Sequence, residues 1–214
     1  MKILIIAAHP DDEVLGMGGT IKKHSKNDNT IRLLVVSEGA TAQYLDKKMV
    51  KVRRNSCLKS SKILGISDVE FLDFPDMMLE NIPHFNINKG IEKTIKKFKP
   101  EIVYTTSNND LNLDHQRVFE STLVATRPFS SSVRKILCYE IPGPFRVPFN
   151  PNVYEDISKE LSFKIKAFKT YHSEVMKFPH PRSVESINSY AIMRGVESNL
   201  KRAESFQLIR SIES

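Results

Sequence analysis

Apolar and polar positions alternate in two distinct periods along most of the chain. Apolar runs of six to eight residues, typical of buried strands, lie at 2–8, 31–38, 69–74, 101–106 and 135–141. Between these runs apolar residues recur at helical spacing, over 14–26, 47–64, 88–99 and 115–126. The alternation predicts an α/β fold, namely a Rossmann-like and mostly parallel sheet with helices on both faces.

The pattern changes after residue 142. A proline-rich stretch, "IPGPFRVPFNPN", is followed by the strand-like "VYEDIS" and by helices predicted around 158–172 and 183–196. We interpret the residues from about 143 onward as a C-terminal extension packed on the same domain. Because 214 residues suffice for one well-filled core, we expect residues 1–214 to form a single domain.

Composition places the chain among ordinary globular proteins, with 40% hydrophobic and 27% charged residues. The first apolar run lacks the cationic start and length of a signal peptide, and no run approaches the ~20 apolar residues of a membrane span. Two cysteines, Cys57 and Cys138, are too few for a disulfide framework. We therefore expect a cytoplasmic protein without stable membrane insertion.

The formal net charge is +7, and the basic residues form the runs "KKHSK", "KKMVKVRR" and "KTIKKFK". Each run interleaves with apolar residues at helical spacing, and no nucleic-acid-binding module is recognisable. We expect solvated helix faces and no nucleic-acid partner. The alternative is a surface that attracts a phosphate-bearing substrate or a lipid headgroup.

An acidic loop follows the first predicted strand, where many strand–turn–helix units carry a glycine-rich phosphate loop. His9, Asp11, Asp12 and Glu13 precede any glycine, which makes a poor anion site. Clustered carboxylates raise one another's pKa unless a cation lies among them, and a mixed nitrogen and oxygen set suits zinc better than magnesium. The loop therefore predicts a divalent metal site, with Glu13 supporting the loop or capping the helix.

A second polar cluster, "SNNDLNLDHQRV", follows the fourth predicted strand. The carboxyl ends of parallel strands share one edge of a sheet, so this cluster is expected to lie near the acidic loop. A catalytic zinc usually takes three protein ligands. His115 can supply the third, beside His9 and one aspartate.

Together, "AHPDDEVLGMGGT" and "DLNLDH" resemble the motifs of the zinc-dependent N-acetyl-sugar deacetylases, which include N-acetylglucosaminyl-phosphatidylinositol deacetylases and the bacterial LmbE-like proteins. Agreement extends to "SEGATAQY", "FLDFPD", "HPRS" and "AESF", so the resemblance covers essentially the whole chain. It implies a metal-dependent hydrolase that removes the N-acetyl group from an amino sugar or its conjugate.

The resemblance also implies roles for individual residues. Zinc would be held by His9, Asp12 and His115, with Fe²⁺ as the alternative metal because the same ligand types serve both. Asp11 matches the general base, which takes a proton from water and returns it to the departing amine. Asp114 matches an aspartate that orients neighbouring polar side chains.

One position departs from the family pattern. The second motif commonly begins with a histidine two residues before the aspartate, and this chain has Asn112 there. An asparagine amide can donate a hydrogen bond to an oxyanion but does not titrate near neutral pH. We expect an active enzyme with Asn112 as a neutral donor. The alternative is a zinc- and sugar-binding homologue with little catalysis.

Candidate substrate contacts are Arg53, Arg54, His180 and Arg182. A guanidinium can bind sugar or phosphate oxygens through two parallel hydrogen bonds. The alternatives are a solvated helix face for the first two and a proline-framed turn, before a helix capped by Ser183, for the others.

Other classes of function stay open at this point. A Rossmann-type nucleotide-binding protein is favoured only by "GMGG", and histidine–aspartate clusters also build metal-dependent phosphoesterases. The expected partner is a small N-acetylated amino sugar, sugar phosphate, nucleotide-sugar, glycolipid or thiol glycoside. A homo-oligomer is compatible with the sequence.

Overall fold

A computed structural model of the protein describes residues 1–44, Asp46 and residues 48–213. The described strands are β1 (Lys2–Ala7), β2 (Thr30–Ser37), β3 (Asp68–Phe74), β4 (Ile102–Thr105), β5 (Lys135–Tyr139), β6 (Val153–Asp156) and β7 (Ala203–Ser211). The described helices are α1 (Asp12–Lys26), α2 (Lys48–Leu64), α3 (His84–Phe98), α4 (Leu113–Ala125), α5 (Leu161–Phe168) and α6 (Val184–Ser198). A short 3-10 helix spans Leu79–Asn81.

The strands form one sheet in the order β3-β2-β1-β4-β5-β7-β6. The first five strands in this order pair in parallel, whereas β7 is antiparallel to both β5 and β6. From β1 the chain runs outward through β2 to β3 and then crosses back to β4 on the other side of β1, so strand order reverses between β1 and β4. Ligands bind at such a reversal in open α/β sheets, just beyond the carboxyl ends of the strands.

The predicted α/β fold and mostly parallel sheet are confirmed, with strand ends within two residues of the predicted bounds. Helices α1, α3 and α4 begin two to four residues earlier than predicted, because polar residues occupy their first turns. Residue 47, the predicted start of α2, lies outside the described residues. The helix predicted around 158–172 is confined to Leu161–Phe168.

Strand β7 is absent from the predicted elements, although it lies between β5 and β6. Its residues 203–206 are buried and include the charged Glu204, so the run does not look apolar in sequence. Strand β7 comes from the C-terminal extension and pairs with β5 in the common sheet.

The core lies on both faces of the sheet, as continuous apolar strands require. Alternate residues of β1 point to opposite sides. Ile3 and Ile5 pack with buried residues of α1, α2, α5 and α6, whereas Leu4 and Ile6 pack with residues of α3 and α4. The lysines of α2 and α3 at positions 51, 59, 62, 96 and 97 are exposed, which agrees with the predicted solvated helix faces. In the described part of the chain, no helix has the length and apolar character that crossing a membrane requires.

Helix α1 lies unusually close to the sheet. A Cβ atom at Gly16 would lie 2.3 Å from the Tyr139 ring, whose hydroxyl donates to the Ile6 carbonyl (2.9 Å). The helix kinks at Met17, and Glu204 of β7 accepts hydrogen bonds from the two N–H groups that follow Gly18 (2.9 and 2.7 Å). These contacts fix the N-terminus of α1, and with it the acidic loop.

We expect Gly16→Ala to lower the free energy of unfolding by about 1–3 kcal/mol, because the added methyl group overpacks the contact with Tyr139. Urea denaturation of both proteins measures the difference. Gly143→Ala is the matched control, since a Cβ atom there meets nothing within 4 Å. Equal destabilisation by the two variants would show that the close approach of α1 does not matter.

Candidate metal centre

The two polar clusters of the sequence meet at the carboxyl ends of β1 and β4. His9 Nδ1 lies 3.2 Å from His115 Nε2. Asp12 lies between them, with Oδ2 3.5 Å from His9 Nδ1 and Oδ1 3.5 Å from His115 Nε2. All three side chains are buried, so three potential metal ligands converge in a site shielded from water.

Hydrogen bonds to carboxylates orient both imidazole rings. The Nε2–H group of His9 donates to Asp114 Oδ2 (3.0 Å), and the Nδ1–H group of His115 donates to Asp110 Oδ2 (2.7 Å). A ring nitrogen that donates leaves the other nitrogen with a lone pair, as in metal-bound histidines. The nitrogens that face each other are therefore both electron donors, and a positive charge has to lie between them.

The distances fit a tetrahedral metal. Ligand bonds of about 2.1 Å hold neighbouring ligand atoms of a tetrahedral zinc about 3.4 Å apart. His9 Nδ1 and His115 Nε2 are 3.2 Å apart, and each lies 3.5 Å from a different oxygen of Asp12. Two nitrogens and one carboxylate also form a donor set that zinc accepts, with room for a fourth ligand.

The charge distribution favours a cation. Burial alone would lower the pKa of His9, but hydrogen bonds to Asp114 and Asp12 outweigh burial and raise this pKa to about 9. Burial likewise opposes protonation of His115, yet Asp12 and Asp110 raise its pKa to about 10. Burial would raise the pKa of Asp12, and the two histidines hold it well below its usual range.

A second group, His9, Asp76 and Asp114, also brings three potential ligand atoms within 4.8 Å of one another. Asp114 already accepts hydrogen bonds from the N–H groups of Met77 (2.9 Å) and Leu79 (3.0 Å), besides that from His9. Its oxygens are thus occupied, and the group containing His115 is the better metal site.

Asp11 is fully buried and has an unusual backbone conformation. Its side chain is 0% exposed, and in the described part of the chain neither carboxylate oxygen accepts a hydrogen bond. Its φ of 119° is a strained value for a residue with a side chain, of the kind that clusters at functional sites. Burial raises the pKa of Asp11, although nearby Arg182 and Arg53 oppose the rise. Asp11 is therefore suited to accepting and releasing a proton.

Glu13 supports this strained turn, one of the two roles predicted for it. Its Oε2 accepts the Asp11 backbone N–H (3.1 Å), and its Oε1 accepts the Tyr171 hydroxyl (2.7 Å). Burial raises the pKa of Glu13 to about 8.

Two arginines flank Asp11. The Nη2 atoms of Arg53 and Arg182 lie 3.2 and 3.7 Å from its Oδ2. Glu174 binds both arginines through separate oxygens, each at 2.8 Å, and Arg53 also donates to the Pro10 carbonyl (2.6 Å). Both guanidinium groups thus form ion pairs with Asp11 Oδ2, while their shorter contacts are to Glu174 and Pro10.

The other two candidate substrate contacts lie elsewhere. Arg54, about 100° further around α2 than Arg53, pairs with Asp73 and stacks on Phe71 at 4.5 Å. His180 is exposed, and its Nδ1 accepts the backbone N–H of Arg182 (3.1 Å) in the turn that precedes α6. The structure therefore brings Arg53 and Arg182 to the site, but not Arg54 or His180.

Asn112 is the N-cap of α4, and its orientation follows from that role. Its Oδ1 accepts the Asp114 N–H (2.9 Å), so its Nδ2 is left to donate and lies 3.5 Å from Met77 Sδ. Asn112 lines a cavity of about 30 Å³ with His9, Asp76 and Met77. Since a single water needs about 10–15 Å³, this cavity has room for only a few atoms.

Sequence reasoning assigned no role to Asp76, Asp110 or Glu174. Asp76 lies in the loop after β3, at the carboxyl end of that strand, and its Oδ1 is 3.4 Å from His9 Nε2. Asp110 lies within the quoted polar cluster. Glu174 has no local pattern around it, because its partners are 121 residues upstream at Arg53 and eight residues downstream at Arg182.

Comparison with known proteins gives one family and several relatives. The family model described as PIG-L, GlcNAc-PI de-N-acetylase, matches residues 4–126. An Escherichia coli K12 protein described as the uncharacterized deacetylase YaiS is 31% identical over 182 residues, covering 80% of this chain and 90% of that protein.

Solved structures share the fold. The N,N'-diacetylchitobiose deacetylase of Pyrococcus horikoshii matches with a TM-score of 0.83 and 22% identity, over 98% of this chain and 84% of the other. The 4-carboxy-2-hydroxymuconate hydratase GalB of Pseudomonas putida KT2440 matches with a TM-score of 0.81 and 21% identity, over 100% and 98% of the two chains. The shared fold alone therefore does not decide the reaction.

Metal-free protein should lose stability as the pH rises. The histidine pKa values are raised from 6.5 to about 9 (His9) and about 10 (His115), so their contribution is complete below pH 6.5 and is lost as the pH passes these folded-state values. Glu13, with its pKa raised from 4.5 to about 8, acts in the same direction over lower pH. Melting temperatures in a chelator at pH about 6, 8 and 10 should fall steadily.

Zinc should restore the melting temperature most strongly at the highest pH, because the metal replaces protons that the site has lost. A melting temperature that is flat or rises over this range would contradict the opposed lone pairs.

Asp110→Asn should weaken zinc binding by roughly 10- to 100-fold, because an amide has only one acceptor oxygen in place of two. An asparagine that keeps the hydrogen bond from the Asn112 N–H (2.9 Å) turns its Nδ2 donor toward His115 and no longer accepts the Nδ1–H of that ring. Competition with a coloured chelator measures the zinc Kd. Asp28→Asn, in an exposed turn, is the control, and an unchanged Kd in Asp110→Asn would refute the role of Asp110.

Proposed function

The chain belongs to the PIG-L family of N-acetyl-sugar deacetylases, and we propose that it is a zinc-dependent hydrolase of N-acetylated amino sugars or their conjugates. The products would be acetate and the free amine. The observation that carries the proposal is the convergence of three donor atoms, from His9, Asp12 and His115, beside the carboxylate of Asp11, which accepts no hydrogen bond from any residue that the structure describes.

We assign the metal to His9, Asp12 and His115, and Fe²⁺ suits the same donors. When bound, zinc would lower the pKa of a water toward ~7 and polarise the acyl carbonyl. Asp110 and Asp114 would hold the two imidazole rings in the tautomers that binding requires.

Asp11 would move the proton. Its two oxygens accept no hydrogen bond among the described residues, and the two arginines lie on the Oδ2 side, so Oδ1 can take a proton from water while the water oxygen bonds to the acyl carbon. The same proton then passes to the sugar nitrogen as the carbon–nitrogen bond breaks. Arg53 and Arg182 would stabilise the ionised state of Asp11 before and after the reaction.

Asn112 would stabilise the acyl oxygen as negative charge develops on it. The capping bond fixes its Oδ1, so only Nδ2 can face the cavity as a donor. Met77 Sδ is a weak acceptor, and a charged oxygen would replace it readily. Arg182, 28% exposed at the side chain, is the candidate for contact with the sugar.

We also propose that residues 1–214 act as one catalytic domain in the cytoplasm. Arg182 and Glu174 belong to the C-terminal extension yet reach Asp11 and Arg53, so the extension would be part of the site. Cys57 and Cys138 are free and buried, which suits a reducing compartment.

The three acidic residues at the N-terminus of α1 weigh against a nucleotide-binding protein, because they repel the phosphate that a helix N-terminus would otherwise attract. A phosphoesterase is distinguished by its product. Acetate release and phosphate release from an N-acetylated sugar phosphate can be measured in the same reaction.

The test is a screen of N-acetyl sugars for acetate release by the zinc-loaded protein and by Asp11→Asn. We expect Asp11→Asn to be slower by roughly 10²- to 10⁴-fold on any substrate found, with its zinc content unchanged. Asp28→Asn, the control in the exposed turn, should match the wild type. Equal rates for wild type and Asp11→Asn would exclude the proposed mechanism.

The Asn112→Asp variant separates two roles of Asn112, namely hydrogen-bond donation by its Nδ2 and capping of α4 by its Oδ1. Aspartate keeps the cap of α4 but replaces the donor with an acceptor, so turnover should fall by roughly 10²- to 10³-fold. Asn86→Asp, on the exposed side of α3, controls for the added charge. Unchanged turnover at equal zinc content would show that Asn112 has no catalytic role, whereas a wild type as slow as the variant would indicate a homologue with little catalysis.

A further inference from the structure

Glu174 pairs with both of the arginines that flank Asp11. We propose that Glu174 is a positioning residue, which keeps the guanidinium group of Arg182 from closing on both oxygens of Asp11 and so leaves Oδ1 free for the reacting water. The inference rests on the proposed deacetylase function, because Asp11 carries the proton in that reaction. It assigns a part in the reaction to a side chain that acts on Asp11 through the arginines.

Four charged side chains of alternating sign form a closed ring. Arg53 pairs with Asp11 Oδ2 through Nη2 (3.2 Å) and with Glu174 Oε1 through Nη1 (2.8 Å). Arg182 repeats this arrangement, with Nη2 3.7 Å from Asp11 Oδ2 and Nη1 2.8 Å from Glu174 Oε2. Each guanidinium group therefore lies between two carboxylates, and of these two contacts the shorter one is to Glu174.

The two arginines are not held equally. Arg53 is 2% exposed and also donates to the Pro10 carbonyl (2.6 Å), so several contacts fix it. Arg182 is 28% exposed at the side chain, and within the described part of the chain its guanidinium donates a hydrogen bond to Glu174 only. A distance of 2.8 Å is typical of a charge-assisted hydrogen bond, whereas 3.7 Å is beyond hydrogen-bond range. The position of the Arg182 guanidinium thus depends on Glu174.

Glu174 is itself anchored well enough to restrain Arg182. Its side chain is 1% exposed, and its Oε1 accepts hydrogen bonds from the hydroxyl groups of Tyr44 (3.0 Å) and Ser173 (2.8 Å). Tyr44 belongs to the loop after β2 and Ser173 to the segment after α5, so the anchors come from two separate parts of the chain. Both are neutral donors, so the negative charge of Glu174 stays available to the two arginines.

Without Glu174, Arg182 would be drawn onto Asp11. Asp11 is fully buried, and a buried carboxylate is stabilised by a cation that can reach it. Arg182 Nη2 has to move by only about 1 Å to come within hydrogen-bond range of Asp11 Oδ2. A guanidinium group is a planar fork that can bind both oxygens of a carboxylate at once. Closure of Arg182 would therefore occupy Oδ1, the oxygen that the proton transfer requires.

The first test is the position of Arg182 in crystal structures of the wild type and of Glu174→Gln. Glutamine has nearly the same shape but no charge, and its amide presents a single acceptor oxygen to two guanidinium groups. We expect the Arg182 guanidinium in the variant to bind both Asp11 oxygens at about 2.8 Å. A guanidinium that keeps its wild-type position, or that turns away from Asp11 into solvent, would overturn the proposal.

The second test is the kinetics of acetate release by zinc-loaded protein. We expect Glu174→Gln to lower kcat by roughly 10- to 100-fold, with KM raised no more than about threefold, because Asp11 is obstructed while Arg182 moves little. Removing the obstructing group should reverse most of the loss, so kcat of Glu174→Gln/Arg182→Gln should exceed that of Glu174→Gln by about tenfold. A double variant no faster than the single one, or a raised KM at unchanged kcat, would refute the positioning role.

Glu140→Gln is the matched control. Glu140 is likewise a buried glutamate that accepts from an arginine, Arg194 Nε (2.7 Å), but it lies outside the residues that line the cavity. Both variants should lose stability, because each leaves an arginine without its charged partner, yet only Glu174→Gln should lose kcat. An equal loss of kcat in the control would show that destabilisation alone explains the effect, against the proposal.

The crystal structures decide the position of Arg182 without any turnover. If the deacetylase function itself fails, the wild type and all variants release no acetate, and the position of Arg182 still shows whether Glu174 restrains it. Where Glu174→Gln does not fold, Glu174→Asp replaces it, because a carboxylate one carbon shorter cannot reach both arginines. Arg182 is expected to close on Asp11 in that variant as well, and an unmoved Arg182 would again overturn the proposal.

Discussion

Two imidazole lone pairs and one carboxylate point at the same position, and the rest of the site depends on how that conflict is resolved. Asp114 and Asp110 take the outer N–H groups of His9 and His115, so neither ring can turn its proton inward without losing a strong hydrogen bond. The facing nitrogens, 3.2 Å apart, repel unless a proton or a metal lies between them. The pKa values of both histidines are raised because, without a metal, a bound proton relieves this repulsion.

The topology of the sheet brings these two histidines together. Reversal of strand order between β1 and β4 places two loops side by side, and each loop contributes one histidine. Asp12 comes from the first loop, whereas Asp110 and Asp114, which orient the two rings, come from the second. The close packing of α1 on Tyr139 and the capping of its kink by Glu204 keep the first loop in place. Asp11 is then held in a strained conformation between two arginines, with no hydrogen-bond partner of its own among the described residues. Such strain is stable only because the surrounding contacts over-determine it.

The sequence predicts those features that depend on residues close together in the chain. The parallel strands and the convergence of His9 and His115 with an aspartate follow from apolar runs and from polar clusters at strand ends, whereas the choice of Asp12 among the aspartates follows from the family resemblance. Strand β7 is harder, because its buried half contains Glu204, whose charge is neutralised by Lys164 from α5 (2.7 Å). Arg53 and Arg54 are indistinguishable in sequence, yet one is buried beside Asp11 and the other pairs with Asp73 on the surface. Only the rotation of α2 separates them.

The cavity is lined mainly by polar side chains, among them His9, Asp76 and Arg182. The proposed chemistry depends on a cation at its inner end. The most direct test is a crystal structure of the zinc-loaded protein, with anomalous scattering measured at the zinc edge. We predict one strong peak bonded to His9 Nδ1, His115 Nε2 and Asp12. A peak between His9 Nε2, Asp76 and Asp114, or no peak at full zinc occupancy in solution, would contradict the assignment.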